Sequence, residues 1–229
     1  MTRATVVLFD IDGTLVLTGG AGRRAMRRAF VDEFGSGDVL ESFSFGGMTD
    51  YLILRTALEG VGVAWSDALR DRILDRYVEH LTDELPRADR YTIMPGVGDV
   101  LAALAAEAGI AIGLGTGNIE RGARLKLGRG DLNRHFAFGG FGSDGEDRAE
   151  LLRRGAERGA AQLGLRIDDC DVVVVGDTVR DADAAHAIGA RAVLVETGGV
   201  DRAVLTATGA QSVFRDLLDP ASVAAILRR

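Results

Sequence analysis

The fold is decided by the stretch Phe9-Asp10-Ile11-Asp12-Gly13-Thr14-Leu15, which completes and follows the short apolar run Thr5–Phe9. An apolar, β-branched run of this length, ended by polar residues, predicts a buried strand. Two carboxylates two residues apart come next, and Gly13 permits a tight turn that offers backbone N–H groups to an anion. A turn or a helix cap needs only one acidic residue. Asp10 and Asp12 together therefore indicate a functional site.

Three further apolar runs are bounded by Gly or Asp: Ile110–Leu114, Val172–Val175 and Ala192–Val195. Continuous apolar runs, as opposed to alternating ones, are typical of parallel strands buried on both faces. Helical patterns lie between the runs, over Val97–Ala108, Arg148–Leu163 and Asp181–Ile188. Because strand–helix–strand alternation implies right-handed crossovers, we expect an α/β protein with a doubly wound, Rossmann-like parallel sheet.

The interval from Leu15 to about Arg90 interrupts this alternation, since its pattern contains no convincing strand. One helix is predicted over Gly22–Phe34, with an apolar stripe on one face and several arginines on the opposite, solvated face. A second helix is expected from a cap at Thr49 or Asp50 to Glu59, and a third from Ser66 through Leu85. We therefore predict an all-helical cap domain over residues 16–90, inserted into a core formed by residues 1–15 and 91–229.

Composition narrows the classes of function. Of the 229 residues 47% are hydrophobic and 27% charged, which is typical of a folded protein and not of a disordered one. The formal charge of −7 disfavours a nucleic-acid binder, so a small-molecule partner is expected. Cys170 is the only cysteine, and no run approaches the ~18 apolar residues of a membrane helix. We expect a cytoplasmic protein without membrane or nucleic-acid partners; the sequence leaves its oligomeric state open.

In an open α/β sheet, ligands bind beyond the carboxyl ends of the strands. The second strand ends in Thr116-Gly117-Asn118, where a hydroxyl and the N–H groups of a helix start suit a phosphate oxygen. Asp177 and Asp181 follow the apolar run Val172–Val175. Together with Asp10 and Asp12, these acids form a cluster that is costly without a cation, and a set of oxygen ligands favours Mg²⁺ over zinc.

These motifs, in this order along the chain, resemble the haloacid dehalogenase superfamily of aspartate-nucleophile phosphatases, and the resemblance covers the whole chain. It implies that Asp10 is the nucleophile that forms an aspartyl-phosphate, and that Asp12 protonates the leaving alcohol and then activates water. It also implies that Asp10, the backbone carbonyl of Asp12 and Asp177 hold Mg²⁺, while Asp181 supports the metal through a water or fixes a neighbouring cation.

The resemblance assigns the phosphate and substrate contacts as well. Thr116 is expected to bind a phosphoryl oxygen. Further contacts to phosphate or substrate are expected from the turns after the first two strands and from a cap loop, at Gly13, Thr14, Gly117, Asn118 and Met48. Lys126 is expected to contact phosphate or substrate as well. The segment from Phe45 to Asp50 resembles the cap loop of phosphoglycolate-phosphatase-like members of the family, and its glycine pair permits close backbone approach.

One element departs from the family pattern. A lysine normally follows the Thr116 motif by about thirty residues and balances the charge of the nucleophile, whereas residues 142–148 contain no lysine. Arg148 is the natural replacement, because a guanidinium stays charged and can pair with carboxylate and phosphate. Lys126, the only lysine of the chain, is the competitor, although it lies ten residues past Thr116. We favour Arg148.

The resemblance also narrows the reaction. Dehalogenases of the superfamily lack an acid at the position of Asp12, and the phosphonate-cleaving members need a cap lysine, which this chain does not have. A phosphatase that acts on a small phosphate monoester is expected, with a sugar-phosphate mutase as the alternative. From other classes, a phospho-accepting signalling receiver has no cap, and a nucleotide-dependent oxidoreductase leaves the acidic cluster unexplained. Cap movement is expected near residues 15–20 and 87–95.

Overall fold

The computed structural model describes residues 3–228 and contains a six-stranded sheet in which all neighbouring strands are parallel, in the order β5-β4-β1-β6-β7-β8. The strands of this sheet are β1 (Thr5–Phe9), β4 (Ile110–Thr116), β5 (Gly139–Phe141), β6 (Asp171–Gly176), β7 (Arg191–Val195) and β8 (Ser212–Phe214). The predicted doubly wound α/β fold is confirmed.

Helices cover both faces of the sheet. They are α4 (Val97–Ala105), α5 (Glu120–Gly128), α6 (Arg148–Gln162), α7 (Val179–Ala187), α8 (Arg202–Ala207) and α9 (Ala221–Leu227). Successive side chains of β1 point to opposite faces. Val7 and Phe9 pack in one hydrophobic cluster with α4 and α5, and Val6 and Leu8 pack in another with α6 and α7. This two-sided burial explains why β1 is apolar at nearly every position.

The strand register brings the polar strand ends together. Phe9 lies opposite Leu114 of β4 on one side and opposite Val175 of β6 on the other. The carboxyl ends of the three strands therefore lie at the same edge of the sheet. Asp10 and Asp177 are more than 160 residues apart along the chain, with Thr116 between them, and the sheet brings all three residues to this edge.

The inserted segment forms three helices with a hydrophobic core of their own. These helices are α1 (Ala21–Phe34), α2 (Asp50–Gly60) and α3 (Asp67–Glu84). The predicted caps are confirmed, since the Thr49 hydroxyl accepts from the Leu52 N–H at 3.2 Å and the Ser66 hydroxyl accepts from the Leu69 N–H at 3.3 Å. The division into a core (1–15 and 91–229) and a cap (16–90) stays a prediction. Residues 1, 2 and 229 of the predicted core lie outside the described residues.

The segments that connect core and cap differ from the prediction of an insert without strands. Strand β2 (Val16–Thr18) pairs antiparallel with β3 (Tyr91–Ile93). The two chain passages between core and cap lie side by side, so each supplies the backbone partner that the other needs. Three residues are too few for a recognisable alternating pattern. The expected hinge positions thus coincide with this two-stranded ribbon.

No helix among residues 3–228 is long and apolar enough to cross a membrane. The cytoplasmic location stays a prediction.

The two helix caps of the insert allow a matched test of how cap and core are joined. Ser66 is exposed, whereas Thr49 is buried and its hydroxyl also donates to the Glu146 carbonyl of the core at 3.1 Å. We expect Ser66→Ala to lower the free energy of unfolding by ~1 kcal/mol and Thr49→Ala by ~1 kcal/mol more, because only Thr49→Ala also removes the donor to a partly buried carbonyl of the core. Urea denaturation measures both values. Equal losses would show that the bond to Glu146 does not contribute.

Candidate active site

A cavity of about 260 Å³ lies between the strand ends and the cap. The core contributes Asp10, Asp12 and the turn after β4 to its wall, and the cap contributes residues of α1, α2 and α3 together with the loop 45–48. A concave site that gathers several ionisable groups at the carboxyl ends of parallel strands is where this type of fold binds its ligands.

Asp10 lies at the bottom of the site and is 5% exposed. Its Oδ2 is 3.1 Å from Nη2 of Arg148. Burial raises the pKa of Asp10 to about 6, an increase that Arg148 opposes and the nearby carboxylates of Asp181 and Asp12 reinforce. Asp10 therefore gives up its proton less readily than an exposed carboxyl, and additional positive charge beside it would lower its pKa.

Three buried carboxylates meet at this point. One oxygen from each of Asp10, Asp177 and Asp181 lies within 4.8 Å of the other two. Burial raises the pKa of Asp177 well above its usual value, and the neighbouring Asp181 and Asp10 raise it further. A buried set of carboxylate oxygens with too little positive charge is the chemistry that suits a hard divalent cation such as Mg²⁺.

Arg148 is the cation at the centre of this cluster. It is the first residue of α6, after the Asp147 cap, and is 8% exposed. Its Nε donates to Oδ1 of Asp181 at 3.0 Å, and Nη2 donates to the same oxygen. Burial lowers the pKa of Arg148, but Asp181 and Asp10 outweigh this effect and raise it above the usual value. Arg148 therefore remains charged while it contacts Asp10 and Asp181 together.

Asp181 does two structural tasks. Its Oδ2 accepts from the Thr178 N–H at 3.0 Å and from the Thr178 hydroxyl at 2.6 Å, which closes a capping box at the start of α7. Its Oδ1 accepts from Arg148. The side chain is fully buried. Of the two roles expected for Asp181, these contacts agree with fixing a neighbouring cation.

Thr14 lies beside Asp177. Its hydroxyl donates to Oδ1 of Asp177 at 3.1 Å and the residue is fully buried. Thr14 thus orients Asp177, and the expected contact of Thr14 to phosphate or substrate stays a prediction. Gly13 lines the cavity with φ of +90°, and a side chain here would collide with Asp177. The expected turn at Gly13 is therefore present.

The turn after β4 lies beside Asp12. The Asn118 side chain donates to Oδ2 of Asp12 at 2.9 Å and to the Thr116 hydroxyl at 2.8 Å. Thr116 is fully buried, whereas Gly117 and Asn118 line the cavity. The structure thus places Thr116 behind Asn118, and a direct contact from Thr116 to phosphate stays a prediction.

The two candidate cations occupy different places. Lys126 lies on α5, as its position in the chain suggests, and its Nζ is 2.6 Å from Oδ2 of Asp12. Arg148 contacts Asp10. The position beside the predicted nucleophile is therefore that of Arg148, in agreement with the sequence-based preference, while the functional roles of both residues stay predictions.

The cap reaches the turn after β4 through its loop. The Asp50 N–H donates to the Gly117 carbonyl at 2.7 Å, and the Asp50 carboxylate accepts from the Ile119 N–H at 2.8 Å. A side chain at Gly117 would collide with the backbone of Met48, which lines the cavity as expected. Burial raises the pKa of Asp50 to about 6, although Lys126 opposes the increase.

Asp50 was missed as a site residue because its position after Thr49 explains it equally well as the first residue of a helix.

Arg23 was also missed. Arg24 and Arg28 pair with Glu84, as expected for a solvated face. Arg23, by contrast, lines the cavity with its guanidinium 3.9 Å from the centre of the Phe45 ring. Arg23 and Arg24 are neighbours on α1 and therefore point in different directions, and Arg23 points toward the cavity. The apolar stripe of the helix does not predict this difference.

Comparison with known proteins agrees with this geometry. The sequence matches the family described as haloacid dehalogenase-like hydrolase over residues 4–189. It is 29% identical over 202 residues to a phosphoglycolate phosphatase of Synechococcus elongatus, covering 88% of each chain. A phosphoglycolate phosphatase of Mesorhizobium japonicum is 26% identical over 201 residues, which cover 87% of this chain and 86% of that protein.

The fold is shared with solved structures as well. The crystal structure of a hydrolase from Pseudomonas syringae superposes with a TM-score of 0.68 at 23% identity and covers 95% of each chain. At this identity the similarity concerns the fold alone. Because the family match spans well over half of the sequence, the protein belongs to the haloacid dehalogenase-like hydrolases.

Proposed function

We propose that this phosphatase of the haloacid dehalogenase-like family hydrolyses a small phosphorylated metabolite through an aspartyl-phosphate on Asp10. The observation that supports this most directly is the position of Asp10, which lies at the bottom of the cavity in contact with a buried arginine and two further carboxylates. A carboxylate nucleophile of this kind divides one difficult displacement into two easier steps.

In the first step Asp10 attacks phosphorus, the bond from phosphorus to the leaving oxygen breaks, and Asp12 gives its proton to that oxygen. In the second step Asp12 takes a proton from water, which attacks phosphorus and releases Asp10 and inorganic phosphate. Asp12 suits this exchange, because its side chain lines the cavity and is 41% exposed, whereas that of Asp10 is 8% exposed. Arg148 keeps Asp10 in place and balances its charge.

Mg²⁺ is the proposed cofactor, and the residues present fit it. Asp10 and Asp177 offer buried carboxylate oxygens whose pKa values are raised by burial and by the neighbouring carboxylates. These two side chains and the backbone carbonyl of Asp12 would hold the ion, which when bound shields the negative charges of nucleophile and phosphate from each other. Thr14 donates a hydrogen bond that orients Asp177, and Asp181 accepts one that orients Arg148.

Phosphoglycolate is the substrate that we propose within this class. The two curated relatives that match most of the chain are phosphoglycolate phosphatases. The cavity, at about 260 Å³, is of a size that suits a small metabolite. A screen of phosphorylated metabolites that measures release of inorganic phosphate tests this assignment. It also separates a phosphatase from a sugar-phosphate mutase, since a mutase returns the phosphoryl group to the sugar.

Replacement of the nucleophile gives the first test. Asp10→Asn should abolish Mg²⁺-dependent phosphate release while the fold is retained, because an amide cannot form the acyl-phosphate. Rapid quenching followed by peptide mass spectrometry should find one added phosphoryl group on the peptide that contains Asp10 in the wild-type protein alone. Substantial Mg²⁺-dependent turnover by the variant would contradict the assignment of Asp10.

The role of Arg148 can be compared with that of another arginine on the same helix. Arg158 forms an exposed ion pair with Asp144 at 2.7 Å. We expect Arg148→Met to lower kcat/KM by about 10²- to 10³-fold, because a buried donor to the reacting carboxylate is lost, and Arg158→Met to change it little. Steady-state kinetics at saturating Mg²⁺ measures the loss, with thermal unfolding to verify folding. Similar values for the two variants would remove Arg148 from the mechanism.

The contact between Thr14 and Asp177 leads to a prediction about the metal. Thr14→Val removes the donor to Asp177 without changing the shape of the side chain, so we expect Mg²⁺ affinity to fall by about 10- to 100-fold. Thr5→Val is the matched control, since Thr5 is also nearly buried but lies at the other end of β1. Isothermal titration calorimetry and the Mg²⁺ dependence of activity measure the effect. Unchanged affinity in Thr14→Val would argue against Asp177 as a ligand.

A further inference from the structure

Two side chains bind the same carboxylate oxygen of Asp12. Lys126 Nζ lies 2.6 Å from Oδ2 of Asp12, and the Asn118 amide donates to the same oxygen at 2.9 Å. Lys126 also donates to the Asn118 carbonyl oxygen at 2.6 Å. The three side chains form a closed triangle of hydrogen bonds. Among the described residues, none donates a hydrogen bond to Oδ1 of Asp12, so the two carboxylate oxygens have different environments.

The elements that carry this triangle are rigid. Asn118 belongs to the turn after β4, and its amide is fixed further by the Thr116 hydroxyl. Lys126 lies eight residues later, two turns along α5, and is therefore on the same side of the structure. Lys126 is 5% exposed, whereas the Asp12 side chain is 41% exposed. A buried cation thus fixes the inner oxygen of a carboxylate that is open to the cavity.

The cap leaves space for the ammonium group of Lys126. A Cβ atom at Gly22 of α1 would lie 3.3 Å from Nζ of Lys126 and 3.5 Å from its Cε. Glycine inside a helix costs roughly 0.5–1 kcal/mol relative to alanine. At Gly22 the missing side chain gives Lys126 the room that it needs to reach Asp12. The position of the ammonium therefore depends on residues of both core and cap.

Lys126 and Arg148 serve different carboxylates. Arg148 contacts Asp10 and Asp181, and Lys126 contacts Asp12. The charge of Lys126 also acts on Asp50 of the cap, whose pKa it lowers against the effect of burial. The predicted nucleophile Asp10 and the predicted proton donor Asp12 are therefore each paired with a different basic side chain.

We propose that Lys126 is a positioning residue for Asp12. By binding Oδ2 it turns Oδ1 toward the leaving oxygen, so that the proton on Asp12 moves to that oxygen as its bond to phosphorus breaks. The carboxylate left behind is held in the same orientation for the later proton transfer from water. This inference rests on the proposed role of Asp12 as the proton donor and acceptor.

The leaving group provides the test. A dinitrophenolate leaves without protonation, whereas an alkoxide needs a proton. With an alkyl phosphate, Lys126→Met should lower kcat/KM by about 10²-fold, a loss within the range of general acid catalysis, but with dinitrophenyl phosphate by less than about 3-fold. Because kcat/KM covers events only through formation of the aspartyl-phosphate, the second step does not mask the difference. Equal losses with both substrates would overturn the proposal.

Controls separate this proposal from a structural effect and from failure of the proposed function. Arg121 also lies on α5 and forms an exposed ion pair with Asp75 of the cap at 2.6 Å; Arg121→Met should change neither kcat/KM. Asp12→Asn should show the same selective loss for the alkyl substrate, and adding Lys126→Met to it should cause no further selective loss.

The outcomes are distinguishable. If Asp12→Asn shows no selectivity for the leaving group, the proposed role of Asp12 fails. If Asp12→Asn is selective and Lys126→Met is not, only the inference about Lys126 fails. Lys126→Leu, which also lacks a hydrogen-bond donor, replaces Lys126→Met if thermal unfolding shows that the methionine variant is not folded, and it is judged by the same ratio of kcat/KM values.

Discussion

The rest of the structure depends on the meeting of buried carboxylates at one edge of the sheet. Asp10 and Asp177 follow strands β1 and β6, which are neighbours, and Asp181 lies in the first turn of α7 beside them. Charges of the same sign at this distance in a buried site repel each other strongly. Arg148 offsets part of that repulsion, and the remaining deficit is what makes the site suitable for a divalent cation and a phosphoryl group.

Elements whose signal lies in a few consecutive residues could be predicted from the sequence. The run Thr5–Phe9, the caps at Thr49 and Ser66 and the order of the acidic motifs each contain their own signal. Strands β5 and β8 were missed because each has three residues and lies at a sheet edge. β2 and β3 were missed because their pairing joins residues more than seventy positions apart, and nothing in either segment indicates the other.

The same distinction holds for the site. Asp10 and Asp12 could be identified from their spacing, whereas the separate contacts of Arg148 and Lys126 depend on how α6 and α5 pack against the sheet. The bond from the Thr14 hydroxyl to Asp177 also depends on the fold, because the two residues are far apart along the chain and meet only where β1 and β6 pair. Asp50 and Arg23 belong to the cap, and their direction toward the core depends on the tertiary structure.

Lys126 has a consequence for the chemistry of the whole chain. It is the only lysine among 27 basic side chains of Lys and Arg, so every other side-chain cation is a guanidinium. The one ε-amine is nearly inaccessible and lies within the cavity. Reagents that acylate or reductively alkylate amines therefore have a single side-chain target in this protein. If the cap opens as expected, the rate of modification of Lys126 will measure that opening without an introduced probe.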